Sequence, residues 1–293
     1  MEEGQPSILI GQCQKSINQL VDNRKVALSR PDGAPCGFLQ IEDLQIIKKP
    51  TFFEYLRSGW QISLQVAIDY TGSNGAYTQP TSLHYLGGQN QYEHAIRNVC
   101  SILECYDNDK SFPVYGFGGV PRFMGYNDVS HCFPLNGNVN NPEIQGTENI
   151  LHQYREKLQY IGLHGPTYFA PIIKQVIANV TQRLAYEVYN IFLILTDGEI
   201  HDMAETKRLI VEASGLPLSI IIIGVGMEKF KAMKELDADG GLLRDDNGRS
   251  AQRDIVQFVK FKKYSAAGAH VLAEKVLKEV PEQLVSYMQK KGI

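Results

Sequence analysis

The chain has 293 residues, 29 of them basic and 32 acidic for a formal net charge of −3, and 43% are hydrophobic, enough for one substantial core with an appendage. The near balance of charge leaves no positive field with which to grip a nucleic-acid backbone, so nucleic acid is excluded as a partner. Five cysteines (Cys13, Cys36, Cys100, Cys105, Cys132) without a CxxC pair argue against a disulfide framework or zinc site and for a reducing, cytoplasmic compartment.

Neither the start Met1-Glu2-Glu3 nor the end Lys290-Lys291-Gly292-Ile293 carries a signal, myristoylation or prenylation pattern. Residues 1 to about 50 read as short strands at 8–10, 25–28 and 37–41, with Pro31-Asp32-Gly33 as a turn before the last. Three short strands cannot close a sandwich alone. Either they pack on the next domain, or they are the tail of a β module, and the marginal stability of small isolated sheets favours the second reading.

From residue 51 the pattern becomes strands alternating with helices, which predicts a doubly wound, mostly parallel α/β sheet over 51–293. Ile62, Leu64, Val66 and Ile68 alternate as one strand face, and Tyr92, Ile96, Val99 and Leu103 come next at helical spacing. A strand at 113–117 precedes an irregular stretch at 120–146 that is rich in Asn, Gly and Pro. Next come a helix at 147–160, a loop at 162–166, and a helix bearing Phe169, Ile172, Ile173, Val176 and Val180, with Pro171 tolerated in its first turn. The continuous apolar runs 191–195 and 219–225 suit strands buried on both faces, and both are too short to span a membrane. A helix around 230–236, a turn at 245–248, a strand at 255–261 and a last helix restarted at Pro281 complete the chain.

In such folds ligands sit beyond the carboxyl ends of the central strands. The first of these ends in Asp69-Tyr70-Thr71-Gly72-Ser73-Asn74-Gly75, which brings one carboxylate and two hydroxyls together over two glycines. The run 191–195 ends in Thr196-Asp197-Gly198 and supplies a second carboxylate at the same edge. Thr167, in Gly165-Pro166-Thr167, offers a third hydroxyl. Two carboxylates and three hydroxyls form an all-oxygen set of the kind Mg²⁺ or Mn²⁺ prefers.

An Asp-x-Ser/Thr-x-Ser motif, a mid-chain Thr and a later Thr-Asp-Gly, in that order, resemble the metal-ion-dependent adhesion site of von Willebrand A domains. Beyond that motif, Ile68-Asp69-Tyr70-Thr71-Gly72-Ser73-Asn74-Gly75, Ser82-Leu83-His84-Tyr85, Phe112-Pro113-Val114-Tyr115-Gly116-Phe117-Gly118 and Asp254-Ile255-Val256-Gln257-Phe258-Val259 resemble the copines from about residue 52 to the end. The resemblance implies that Asp69, Thr71, Ser73, Thr167 and Asp197 hold Mg²⁺ or Mn²⁺, with Thr71 standing where integrins usually have Ser, and that a cytosolic partner's acidic residue completes the coordination without catalysis. It also implies two lipid-binding C-two-type sandwiches ahead of the A domain in the full-length protein. Residues 7–20 look like the last strands of the second sandwich. Ca²⁺ and phospholipid binding, with calcium-driven movement to the inner plasma membrane, would then belong to loops mostly before Met1.

Several of these residues have simpler roles open to them. Asp69 is also placed to cap the following loop, Thr167 to cap the helix after Pro166, and Asp202 to cap its own helix, while Glu199 reads as solvated. Histidines 84, 94, 131, 152, 164, 201 and 270 form no HxxxH group and read as surface or core residues, with His164 and His201 nearest the site loops. Gly224-Val225-Gly226 lacks the third glycine of a dinucleotide turn, since Lys229 takes its place. Lys260, Lys262 and Lys263 read as a solvated edge. A rival function is a metal-dependent phosphohydrolase with Asp69 as nucleophile. Such enzymes need a second Asp two residues on, where this chain has Thr71.

Overall fold

Parallel strands need long crossovers, and the alternating pattern after residue 50 supplies them. The computed structural model describes residues 9–46, 49–238, 241–265 and 268–293. The chain divides into two compact units, Met1–Lys49 and Pro50–Ile293.

In the first unit, helix α1 (Ile17–Asp22) precedes strands β1 (Lys25–Ser29) and β2 (Pro35–Gln40), which pair antiparallel. The turn between them places Gly33 at φ 86°, a left-handed conformation that glycine adopts without strain. Two expectations need correction. Ile8 lies outside the described residues, and Leu9 and Ile10 form no strand. Within the stretch read as sandwich strands, Gln12 makes only an isolated bridge to Ser29, and residues 17–20 belong to α1. The physical reason is a capping box: Ser16 Oγ accepts the Gln19 N–H at 3.3 Å, and Gln19 Oε1 accepts the Ser16 N–H at 3.1 Å.

The second unit begins with α2 (Phe52–Arg57) and then β3 (Gln61–Asp69), α3 (Gln91–Leu103) and β4 (Ser111–Phe117). The stretch expected to be irregular holds three short strands, β5 (Gly119–Pro121), β6 (Phe133–Pro134) and β7 (Glu143–Gln145). After α4 (Thr147–Leu158), the expected loop begins with β8 (Ile161–Leu163), which pairs antiparallel with β5. Then come α5 (Ala170–Gln182), β9 (Val188–Thr196), α6 (Met203–Ala213), β10 (Leu218–Gly224), α7 (Lys231–Asp237), β11 (Val256–Lys260) and α8 (Phe261–Ser265). The single restarted helix is two helices, α9 (Ala269–Val276) and α10 (Val280–Lys291), with Pro281 in the first turn of the second.

The strand order is β11-β10-β9-β3-β4, all parallel, and β6 and β7 join β4 antiparallel. Side-chain alternation in β3 assigns Ile62, Leu64, Val66 and Ile68 to one core, shared with residues of α3, α4, α9 and α10. Ala67 joins the opposite core with Phe192, Ile194, Ile220 and Ile222, against α5, α6 and α7. The fold is therefore the doubly wound α/β sheet that the periodicity implied. The chain leaves β3 toward β4 on one side, while β9, β10 and β11 lie on the other. A topological switch point thus falls between the carboxyl ends of β3 and β9. Among the described residues no helix is long and apolar enough to cross a membrane.

At the other end of the sheet Arg253 is buried, at 3% exposure, without contacting a carboxylate in its hydrogen bonds. Its guanidinium donates to the carbonyls of Leu216 (2.6 Å), Leu218 (2.7 Å) and Gln283 (3.2 Å) and to the Tyr189 hydroxyl (3.2 Å). One planar donor set thus ties the entry to β10 to the last helix. Replacing Arg253 by Met keeps the stem and removes four charge-assisted hydrogen bonds, although the Leu216 carbonyl keeps the Leu218 N–H and the Tyr189 hydroxyl keeps Ser219. We expect a loss of roughly 3 kcal/mol in urea unfolding, given about 1.5–3 kcal/mol for a hydrogen bond to a charged group. An unchanged midpoint would mean that water replaces the guanidinium at no cost.

Candidate functional site

The register of β3 and β9 pairs Ile68 with Leu195, so Asp69 and Thr196 leave the sheet side by side, and Asp197 comes directly after. Thr196 Oγ1 donates to Asp69 Oδ2 at 2.7 Å. Asp69 Oδ1 accepts from the Thr71 N–H at 2.8 Å and from the Thr71 hydroxyl at 2.6 Å. A 3₁₀ turn, Gly72–Asn74, carries Ser73 back so that its Oγ lies 3.0 Å from Thr71 Oγ1. Gly118 (φ 76°) lies beneath this turn, and a Cβ there would stand 2.3 Å from Thr71 Cγ2, so only glycine lets Thr71 approach.

Asp69 is fully buried and Asp197 is 5% exposed. Burial raises the Asp69 carboxyl above its ordinary range, against hydrogen bonds from Thr71, Thr196 and the Asp197 backbone that favour the charged form. Asp197 is pushed up to about 7, first by burial and then by the negative charge of Asp69. A hydrogen bond from Ser73 opposes that rise. Asp197 Oδ1 is buried and has no hydrogen-bond partner. Two like charges in one desolvated space, one with an orphaned oxygen, are costly unless a cation joins them. The donor chemistry is all oxygen, which fits Mg²⁺ or Mn²⁺ rather than a softer metal. Among the described residues no group of three or more His, Cys, Asp or Glu side chains is placed to hold a metal. A cation here would therefore depend on hydroxyls and water as well as the two carboxylates.

Four of the five anticipated residues, Asp69, Thr71, Ser73 and Asp197, thus stand together at the switch point. Thr167 comes after a cis Gly165-Pro166 bond and is buried. Its N–H donates to His201 Nδ1 at 3.2 Å, and its carbonyl accepts the His201 N–H at 2.9 Å. No hydrogen bond joins its hydroxyl to the other four residues. Nor does Thr167 cap α5: the N-cap is Phe169, with no side-chain cap of its own. That role belongs to Asp202, whose carboxylate accepts the N–H groups of Phe169 (3.0 Å) and Ala170 (2.8 Å). Asp202 was expected to cap α6. It does accept the Thr206 hydroxyl there at 3.2 Å, but its backbone caps go to the neighbouring helix, because the β9–α6 loop runs beside the start of α5.

Sequence reasoning passed over Thr196, Asn74 and His84. Thr196 was visible in Thr196-Asp197-Gly198, but strand alternation alone does not show that its hydroxyl faces Asp69. His84 is fully buried. Its Nε2 lies 2.9 Å from the Asp69 carbonyl, its Nδ1 lies 2.7 Å from the Tyr154 hydroxyl, and its ring stacks on Tyr92 at 4.2 Å. A carbonyl only accepts, so Nε2 carries the hydrogen and Nδ1 accepts from Tyr154. Burial lowers the His84 pKa to about 3, which keeps the ring neutral. Its signal was the Ser82-Leu83-His84-Tyr85 motif, which metal-ligand spacing rules do not capture.

A doubly wound sheet with hydroxyls and paired carboxylates at its switch point defines a von Willebrand A-type architecture. Residues 82–293 match the family model described as Copine, and the chain belongs to the copine family. It is 44% identical over 262 residues to "Copine-C" of Dictyostelium discoideum, covering 88% of this chain and 48% of that protein. It is also 43% identical over 301 residues to "Nicotinic receptor-associated protein 1" of Caenorhabditis briggsae, covering 97% of this chain and 47% of that one. The chain spans about half the length of these curated relatives. Among solved structures, "Crystal structure of manganese-loaded Plasmodium vivax TRAP protein" overlays with a TM-score of 0.46 at 11% identity, covering 75% of this chain and 73% of that one, too loose to carry an argument. Family membership marks the A-type domain as a protein-interaction module rather than an enzyme.

The raised carboxyls set a pH dependence. A carboxyl whose folded pKa exceeds its unfolded value binds its proton more tightly when folded, so the stability it confers is full below about 4 and is lost as pH rises toward 7. In EDTA, Asp197→Asn is therefore expected to match the parent near pH 4 and to exceed it at pH 7.5, by up to about 4 kcal/mol. Urea unfolding at both pH values checks this, and parallel profiles would contradict the assigned burial of charge.

Proposed function

We propose that residues 51–293 form a cation-dependent adhesion module, in which Asp69, Thr71, Ser73, Thr167 and Asp197 hold Mg²⁺ or Mn²⁺ and an acidic residue of a cytosolic partner supplies a further oxygen. The observation that carries this reading is the orphaned Asp197 Oδ1, buried in the same space as the Asp69 carboxylate. When bound, the ion would supply an electrophilic position that a partner carboxylate can fill. The chain's own groups do the rest. Asp69, held by Thr71 and Thr196, supplies negative charge without swinging free. The Thr71 hydroxyl directs its hydrogen at Asp69 and so leaves oxygen lone pairs for other use. The short contact between Thr71 and Ser73 keeps both hydroxyls on one side of the loop. In the phosphohydrolase reading position 71 would carry a general acid, and Thr71 is already spent on Asp69.

The relatives are about twice as long as this chain, so residues 1–50 fit best as the remnant of a preceding β module. Calcium-responsive binding to phospholipid at the inner plasma membrane is then a property of the longer protein. One relative is named for association with a nicotinic receptor, and a membrane receptor's cytosolic segment would fit this reading if it offers an acidic residue.

Titration of the chain with MnCl₂ in a calorimeter is expected to show one bound ion. Asp69→Ala should reduce affinity by more than the roughly 10–100-fold typical of losing an outer-shell partner, with the circular-dichroism spectrum retained. A peptide library rich in Asp and Glu should be retained with Mg²⁺ and released by EDTA. Undiminished manganese binding in Asp69→Ala would sink the proposal.

A further inference from the structure

The side of the site turned toward the protein interior holds a polar relay that none of the five ligand assignments uses. The Asn74 carboxamide is 1% exposed. Its Nδ2 lies 3.5 Å from Asp69 Oδ1, 3.2 Å from the Thr71 carbonyl and 3.3 Å from Thr71 Oγ1. Carboxylate and carbonyl oxygens only accept, so the amide nitrogen must face them, and Asn74 Oδ1 must face the other way. There it meets the hydroxyl of Tyr92, which donates to it at 2.7 Å. Tyr92 is fully buried in the first turn of α3, and its ring is fixed against His84. The amide is thus oriented from a helix packed on the sheet as well as from the loop itself.

We propose that Tyr92 and Asn74 are positioning residues of the cation site: the Tyr92 hydroxyl fixes the Asn74 amide, which holds Asp69 and Thr71 in their binding arrangement before any ion arrives. This inference rests on the cation reading above. Without the Tyr92 hydroxyl, Asn74 Oδ1 loses its donor, and the carboxamide is held only through its nitrogen, by contacts of 3.2–3.5 Å to Asp69 and Thr71. The loop then has to be reordered each time an ion binds, and affinity falls although no ligand has been removed. Tyr92 acts only through Asn74, so its effect must vanish once the carboxamide is gone. A merely structural role would not show that dependence.

The test is a double-mutant cycle on the full 293-residue chain, read as the Mn²⁺ dissociation constant by calorimetry, with thermal unfolding followed in EDTA. Tyr92→Phe keeps the stacked ring and is expected to weaken Mn²⁺ binding by about tenfold. Asn74→Ala should weaken it by a similar factor. The double variant should be no weaker than Asn74→Ala alone, even where the two substitutions lower the unfolding temperature additively. Should Tyr92→Phe fold poorly, Asn74→Ala and Asn74→Ser read the same relay from the loop side, with Ser restoring no more than part of the loss. Affinity in Tyr92→Phe or Asn74→Ala within twofold of the parent overturns the inference, as do factors that multiply in the double variant. Failure of the unaltered chain to bind Mn²⁺ overturns the cation reading itself, and this inference with it.

Discussion

Two carboxylates share one desolvated space at the point where the sheet changes direction, and the surrounding structure is shaped by having to keep them there. Asp69 is at the end of a strand flanked on both sides, so it cannot retreat into solvent. Its closest hydrogen bonds come from Thr71 and Thr196, with Asn74 at 3.5 Å. Asp197 has less support, with one oxygen left bare. In ordinary core architecture such a pair would be replaced by apolar residues of similar volume. Here the pair lies at the switch point, where β3 and β9 end side by side.

The inner layers are built to hold that arrangement still. His84 bonds the carbonyl of Asp69, and Asn74 bonds its carboxylate, so the same residue is gripped through backbone and side chain from independent directions. The bonding groups of Tyr154 and Tyr92 belong to different helices, α4 and α3. A candidate site assembled on loops is thereby braced by two elements of the rigid scaffold.

Sequence carried the sheet and its five parallel strands because each is a continuous or alternating apolar run, a pattern that few other structures satisfy. It also carried the placement of Asp69, Thr71, Ser73 and Asp197 at one edge of the sheet, because they follow the carboxyl ends of two predicted central strands. It failed where local polar chemistry outweighed periodicity. Ser16 and Gln19 start a helix in a stretch otherwise read as extended, and residues 120–146 form strands too short to show a period. Asp202 was read as capping α6 because the two are adjacent in sequence, whereas its partners lie about thirty positions earlier, a pairing that only three-dimensional proximity reveals. His84 was read as a surface or core residue and is a core one, but its partners are defined by what lies on either side of it in space.

The placement of Asp202 has a mechanical outcome. By gripping the start of α5 while sitting at the start of α6, it fastens the segment bearing Thr167 to the segment bearing Asp197, and His201 doubles the fastening through both polar backbone groups of Thr167. Two stretches that the sequence separates by a whole helix and strand are therefore tied to each other, and the turn at Thr71 joins them through its bridge to His164. Anyone wishing to graft a different recognition surface onto this scaffold would have to transplant the 165–170 and 197–202 segments as a matched pair, since either one alone would arrive without its anchor.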